Sequence, residues 1–137
     1  MMVDQPVPFS HKHHVLGLGL DCRMCHSTVE TSADAGLPPL HTCMTCHSQI
    51  WTNAAMLAPV RRPEPIRWRR VNVLPDYVYF NHSIHIAKGI ECARCHGDVA
   101  RMPMLAKRAS LTMNFCLDCH REQHESRNLT DCSICHR

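Results

Sequence analysis

Cys22-Arg23-Met24-Cys25-His26 is repeated in outline four more times along the chain. The copies are Cys43-Met44-Thr45-Cys46-His47, Cys92-Ala93-Arg94-Cys95-His96, Cys116-Leu117-Asp118-Cys119-His120 and Cys132-Ser133-Ile134-Cys135-His136. All ten cysteines fall in these five motifs and none is left over. C-x-x-C-H is the attachment signature of c-type haem. On one helical turn, cysteines at i and i+3 share a face, so both sulfurs reach the two vinyl groups on one porphyrin edge. The adjacent histidine then sits under the iron as proximal ligand. The spacing predicts five covalently attached haem c groups, held by the ten cysteines, with His26, His47, His96, His120 and His136 on the irons.

Other uses of C-x-x-C fit poorly. Structural zinc takes four ligands, usually two such pairs per metal, and five pairs do not divide into twos. A redox dithiol is expected once, beside a βαβ pattern. Disulfides within C-x-x-C close very short loops and stabilise little.

Length and composition agree with haem. In 137 residues each of five haems has fewer than thirty residues to itself, and only 5% of residues are aromatic. The apolar interior must then be largely porphyrin, wrapped by short helices and loops, and without haem the chain is expected to be unfolded. The formal charge of +3 falls to about −7 if both propionates of every haem ionise. The basic residues therefore read as haem counter-ions, and no nucleic-acid partner is expected. No apolar run approaches the length of a membrane span. Met1 to Pro8 carries an acid and two prolines where a leader needs an apolar stretch. Since haem is attached outside the cytoplasm, a leader or anchor is expected to have been removed or to lie outside this chain.

Taken in order, residues 1–8 read as a loose arm. Ser10 is placed to cap a short helix carrying His11 and His14, which at i, i+3 leave it side by side. Two neighbouring imidazoles cannot share one iron face, so they serve different haems. Thr28 to Pro39 reads as loop, Thr42 as a cap for the second motif, and Asn53 to Ala58 as a helix ended by Pro59. Residues 59–79 form an Arg- and Pro-rich connector, read either as solvated chain or as a propionate-neutralising or docking segment with Trp68 as buried anchor. Asp76 to Phe80 reads as extended.

The opening theme then returns as Phe80-Asn81-His82-Ser83-Ile84-His85, with Asn81 as cap and Gly89 as helix stop. Phe9 precedes Cys22 by thirteen residues and Phe80 precedes Cys92 by twelve. The chain is one domain over 1–137 built as an internal repeat: 9–58 for the first two haems, 80–121 for the next two, and 122–137 for the fifth.

Twelve histidines less five proximal leaves seven. His13, His41 and His124 read as surface residues. His11, His14, His82 and His85 share spacing, a preceding aromatic and a cap, and are the expected distal ligands. Topology gives His11 to the first haem and His82 to the third, with His14 and His85 reaching other haems. The fifth iron is left with the spare histidines or with Met102, Met104 or Met113. A His/Met haem sits at higher potential than bis-histidine ones.

The stretches FSHKHH, LGLDCRMCH, CMTCHSQI, PIRWRRVNVLPDYVYFNHSIH, ECARCHGDVARMP and LTMNFCLDCHR resemble the pentahaem cytochrome c subunit of Alternative Complex III, a bacterial quinol:electron-acceptor oxidoreductase. The likeness spans about residues 9–136, and its long blocks are more specific than the haem motifs. Its histidine pattern falls on His11, His14, His82 and His85, and its methionines on Met102 and Met113; it implies Met113 as the fifth distal ligand. Family members carry an amino-terminal membrane anchor and usually a longer segment before the last motif, which this sequence lacks.

The fold implied is mostly irregular with short α-helices, like cytochromes c3 and c7, wrapped round five haems. The function implied is electron relay from quinol oxidation in a membrane-bound respiratory or photosynthetic complex to a downstream cytochrome c or oxidase, with no catalytic residue of its own. Partners implied are an iron–sulfur protein, integral quinol-binding subunits and a monohaem cytochrome c, on the periplasmic side of the bacterial inner membrane. Alternatives are a free periplasmic multihaem carrier and a multihaem reductase. The latter needs an open iron position, against which the surplus of histidines speaks.

Overall fold

Asp21, Asn81, Thr112 and Asp131 each stand one residue before a short helix. Their side-chain oxygens accept from the backbone N–H groups of Arg23, Ser83, Phe115 and Ser133. A cap of this kind contributes about 1 kcal/mol, a large share for helices of one or two turns. The helices so started are α1 (Cys22–Cys25), α3 (His82–Ala87), α5 (Met113–Glu122) and α6 (Cys132–Cys135), while α2 (Leu40–His47) and α4 (Cys92–His96) begin without a side-chain cap. Each C-x-x-C-H motif lies on or at the end of one of these helices. The chain is a computed structural model describing residues 2–123 and 128–137, so His124 lies outside the described residues.

His11 heads a π-helical segment, Lys12–Gly17, in which the Ser10 hydroxyl accepts from His13 N–H (3.2 Å). Two short 3₁₀ segments follow later, Ala55–Arg61 and Val99–Arg101. Gly89, at φ +76°, turns the chain out of α3 where a Cβ would be strained. Among the described residues, extended pairing is confined to two isolated antiparallel bridges, Met2 with Ala106 and Val78 with His136. No helix among them is long and apolar enough to cross a membrane.

Three local expectations are corrected. The arm 2–8 is pinned: besides the Met2 bridge, Gln5 donates to Arg69 C=O (2.7 Å) and accepts from Arg69 N–H (2.9 Å), and Val7 is buried against Leu57 and Val60. Thr42 is no cap, because α2 starts two residues earlier at Leu40, after Pro39. Pro59 does not end the helix after Asn53. The segment is 3₁₀ and holds Pro59 inside it. Trp68 packs half-buried against the Val7–Leu57–Val60 cluster.

The two halves of the chain hold each other. Lys12 N–H donates to Met102 C=O (3.0 Å), laying the first histidine segment on the chain that follows the third motif. Conversely, His82 N–H donates to Ala33 C=O and Ser83 N–H to Ser32 C=O (both 3.2 Å), laying α3 on the loop that follows the first motif. That loop is itself clamped: Thr28 donates to Asp34 C=O (2.8 Å), and Asp34 accepts from Gly36 N–H (2.9 Å) and Arg70 (3.1 Å). The Gly36 N–H, and after it Arg70, holds the Asp34 carboxyl below its usual range. Gly36 lies at φ +80°, and a Cβ there would meet Thr28 Oγ1 at 2.7 Å.

Among the described residues, only the apolar Val7, Val29, Leu57, Val60 and Met102 are buried as whole residues. The chain exposes 10118 Å². A compact monomer of its 15.6 kDa mass exposes about 7,200 Å². The surplus is too large for a fold closed by side chains alone.

Candidate haem-binding site

The histidine segments place their rings through the phenylalanine ahead of them. Phe9 stacks on His14 (centroids 4.3 Å, planes at 24°) and meets His11 edge-on (5.0 Å, 88°). Phe80 repeats this on His85 (4.3 Å, 29°) and His82 (4.8 Å, 88°). In each case one aromatic ring fixes two imidazoles at a large angle to one another. The i−4 backbone completes the setting: His14 Nδ1–H donates to Ser10 C=O (2.9 Å), and His85 Nδ1–H to Asn81 C=O (2.7 Å). The spacing Phe-x-His-x-x-His was visible in sequence, but this clamping role of the phenylalanine was not.

Facing these rings are the motif histidines. The centroids of His14 and His47 lie 6.4 Å apart, those of His82 and His96 6.4 Å, and those of His85 and His120 6.1 Å. A ring nitrogen about 1.15 Å from its centroid and about 2.0 Å from a metal puts two trans imidazoles about 6.3 Å apart, centroid to centroid. All three pairs match that span. Burial first, and then the charge of nearby His26, holds the His11 pKa down to about 4. Burial likewise lowers that of His96.

The Nδ1 side of nearly every ring is tied down, which leaves Nε2 as the ligating atom. His26 donates to Gly36 C=O (2.6 Å), His47 to Ile50 (3.2 Å), His120 to Leu129 (2.8 Å), His136 to Tyr77 (3.3 Å) and His82 to Ala33 (2.7 Å). His96 Nδ1 meets the Asn72 side-chain amide nitrogen at 3.1 Å. Three of these acceptor carbonyls sit at or beside left-handed backbone: Gly36 itself, Ile50 before Trp51 (φ 55°), and Leu129 after Asn128 (φ 88°). Glycine and asparagine adopt that conformation readily. Trp51 does not, and such strain is worth about 1–3 kcal/mol. These acceptors are backbone atoms, and apart from the two turn residues no sequence signal marks them.

Five of the cysteines are held away from the thiolate form. Burial pushes the thiols of Cys22, Cys25, Cys43, Cys95 and Cys116 above their usual range. Reactive or metal-binding thiols are shifted the other way by electropositive surroundings. After burial, the next cause is in most cases another motif: Cys92 for Cys22, Cys25 for Cys43, Cys119 for Cys95 and Cys135 for Cys116. The motifs therefore follow one another through space in the order second, first, third, fourth, fifth. The loop 32–36 says the same, since it takes protons from both His26 and His82.

At the fifth motif, Tyr79 N–H donates to Cys135 C=O (2.7 Å), Tyr77 stacks on His136 (6.0 Å, 27°), and the Arg137 guanidinium lies 4.2 Å over Tyr79. Met113 heads α5, 61% exposed and one turn before Cys116, whose thiol neighbours Cys135. Met102, by contrast, is 4% exposed and packed.

The residues fit haem. Paired thiols one turn apart, imidazole pairs at the span of a six-coordinate metal and a large surplus of exposed surface suit a flat apolar disc. His11 Nδ1 and Trp68 Nε1, buried without a partner among the described residues, are donors of the kind that propionate carboxylates accept from.

Residues 78–137 match the family model described as cytochrome c7 and related cytochrome c. Over 98% of its length the chain is 30% identical to the multihaem cytochrome c subunit of menaquinone reductase from Nitratidesulfovibrio vulgaris (strain Hildenborough), covering 77% of that protein.

Proposed function

The chain belongs to the multihaem c-type cytochromes, in the family of the menaquinone reductase cytochrome subunit, and on that premise we propose that it is a five-haem electron relay in a membrane-bound quinone- or quinol-linked complex. The ten motif cysteines would hold the haems. Four irons would take the pairs His11/His26, His14/His47, His82/His96 and His85/His120, and the fifth His136 with Met113. Haem c supplies a one-electron iron couple, whose potential is set by axial ligands, hydrogen bonds and burial. The chain's own work is to engage Nδ1 of every ligand imidazole but His11, to hold the rings with Phe9 and Phe80, and to keep the motifs in one row. The observation that carries this reading is the centroid span of the three histidine pairs, 6.1–6.4 Å.

Two related complexes bracket the role. Alternative Complex III, which the sequence resembles, draws electrons from quinol, whereas the relative's name makes it part of a menaquinone reductase. A relay passes electrons either way, as the potentials of its partners dictate. We take the outward direction, from quinol through an iron–sulfur partner and integral quinol-binding subunits toward a monohaem cytochrome c or an oxidase. The site is the periplasmic face of the inner membrane, reached through partners or through an anchor outside this chain.

Denatured, solvent-extracted protein is expected to keep the mass of five haems. Zinc, or fewer haems in matured protein, would overturn the count. A redox titration is expected to show one component well above the others, from Met113 ligation of the fifth haem, and carbon monoxide added to reduced native protein is expected to bind little. Absence of the high component would remove Met113 as ligand. A stoichiometric carbon monoxide complex would indicate an open iron and a reductase.

A further inference from the structure

The three measured imidazole pairs differ in one respect, the angle between their planes. His82 and His96 are nearly parallel at 8° and His85 and His120 close to it at 24°, whereas His14 and His47 stand at 69°. The distal side does not explain the difference. His14 and His85 occupy matching settings, each stacked on its phenylalanine at 4.3 Å and each donating to the carbonyl four residues back.

The proximal side does explain it. His96 is engaged by the Asn72 side chain, 24 residues away, and His120 donates to a carbonyl nine residues further on, across a loop. His47 instead donates to Ile50, only three residues on, within a turn closed by Trp51 at φ 55°. Ser48 N–H, Gln49 N–H and Ile50 N–H continue the bonding of α2 into that turn, through Met44 and Cys46 carbonyls. The Trp51 ring, 6.2 Å from that of His47, stands alongside. The chain thus sets the His47 plane from its own helix end, without reference to the rest of the molecule.

We infer that the Ile50–Trp51 turn is a positioning device, which crosses the His47 plane over that of His14 and makes the second haem electronically unlike the other bis-imidazole sites. The inference rests on the ligand pairing proposed above. An imidazole donates π density to the metal orbital lying perpendicular to its ring. Parallel rings raise the same orbital and split the pair of metal π-type orbitals. Crossed rings raise one each and leave the pair close in energy. In the ferric low-spin state, near-degeneracy gives a strongly anisotropic magnetic signature and splitting gives a rhombic one.

The test is electron paramagnetic resonance of the oxidised, fully haem-loaded protein, with haem count checked by mass. The native protein is expected to show a strongly anisotropic low-spin signal alongside rhombic ones. His14→Ala should remove one haem's worth of the anisotropic signal, replace it with a high-spin signal, and leave the rhombic signals in place. Trp51→Gly keeps the left-handed turn and should keep the anisotropic signal. Trp51→Pro, which cannot adopt a positive φ, should shift it toward rhombic at unchanged haem count. If the native protein has only rhombic signals, or the anisotropic one survives His14→Ala undiminished, the crossed-plane inference fails while the pairing stands. If Trp51→Pro leaves that signal unmoved, the turn is not what sets the plane. If His14→Ala leaves every haem low-spin, the pairing itself is wrong.

Discussion

Alanine at His82 is expected to turn one low-spin haem high-spin and leave the rest alone, and alanine at His85 to do the same to a different haem. The two rings are one helical turn apart, yet they face different partners, His96 at 6.4 Å and His120 at 6.1 Å. Phe80 holds them apart in orientation, edge to His82 and face to His85. Both Nδ1 atoms are committed to carbonyls, Ala33 for His82 and Asn81 for His85, so neither ring is free to swing onto the other's metal. The removed imidazole leaves a five-coordinate iron, read by the high-spin bands in the absorption spectrum and by low-field resonance. Perturbation of a single shared haem by both substitutions would end the side-by-side argument. His82→Ala should also loosen the contact between the halves, because the ring's bond to Ala33 backs up the backbone pair His82–Ala33 and Ser83–Ser32.

Chain made without haem attachment, with alanine at all ten motif cysteines, is expected to show no cooperative unfolding transition and little helical circular dichroism. The five buried apolar side chains among the described residues, with helices of four to ten residues, do not make a fold by themselves. The 10118 Å² of exposed surface, against about 7,200 Å² for a compact chain of this mass, measures how much of the interior must come from something other than side chains. A cooperative melt and full helical signal in the haem-free chain would mean that the polypeptide core has been underrated.

What was legible in the sequence is chemistry confined to a few adjacent residues. The C-x-x-C-H motifs, the Phe-x-His-x-x-His segments and the Asn81 cap each depend on one helical turn, and the spacing displays them. Features set by distant partners were hidden. Gln5 and Arg69 are 64 residues apart, and nothing in Met2 to Pro8 announces that its backbone and amide are spoken for. The Nδ1 acceptors are carbonyls, which every residue possesses, so their choice is a matter of loop path. Asn72 against His96 is the one side-chain partner, and it lies in a connector that reads as plain Pro- and Arg-rich chain. The helix starting at Leu40 rather than near Thr42 shows the opposite error, a cap residue whose hydroxyl was credited with deciding a boundary that Pro39 decides. His124 was set aside as a surface residue and lies outside the described chain.

The mutual grip of the two halves bears on how such a molecule is made and how it arose. In a polypeptide delivered amino end first, residues 11–47 emerge while residues 80–83 are still to come. Until then Ser32 and Ala33 have nothing to hold, and the segment at Lys12 lacks the Met102 carbonyl it leans on. Neither half is therefore a finished article that waits for its sibling. A gene cut at the connector is expected to yield halves that lack these bonds. If the paired pattern records a duplication, these cross-bonds would tie the two copies together as a unit.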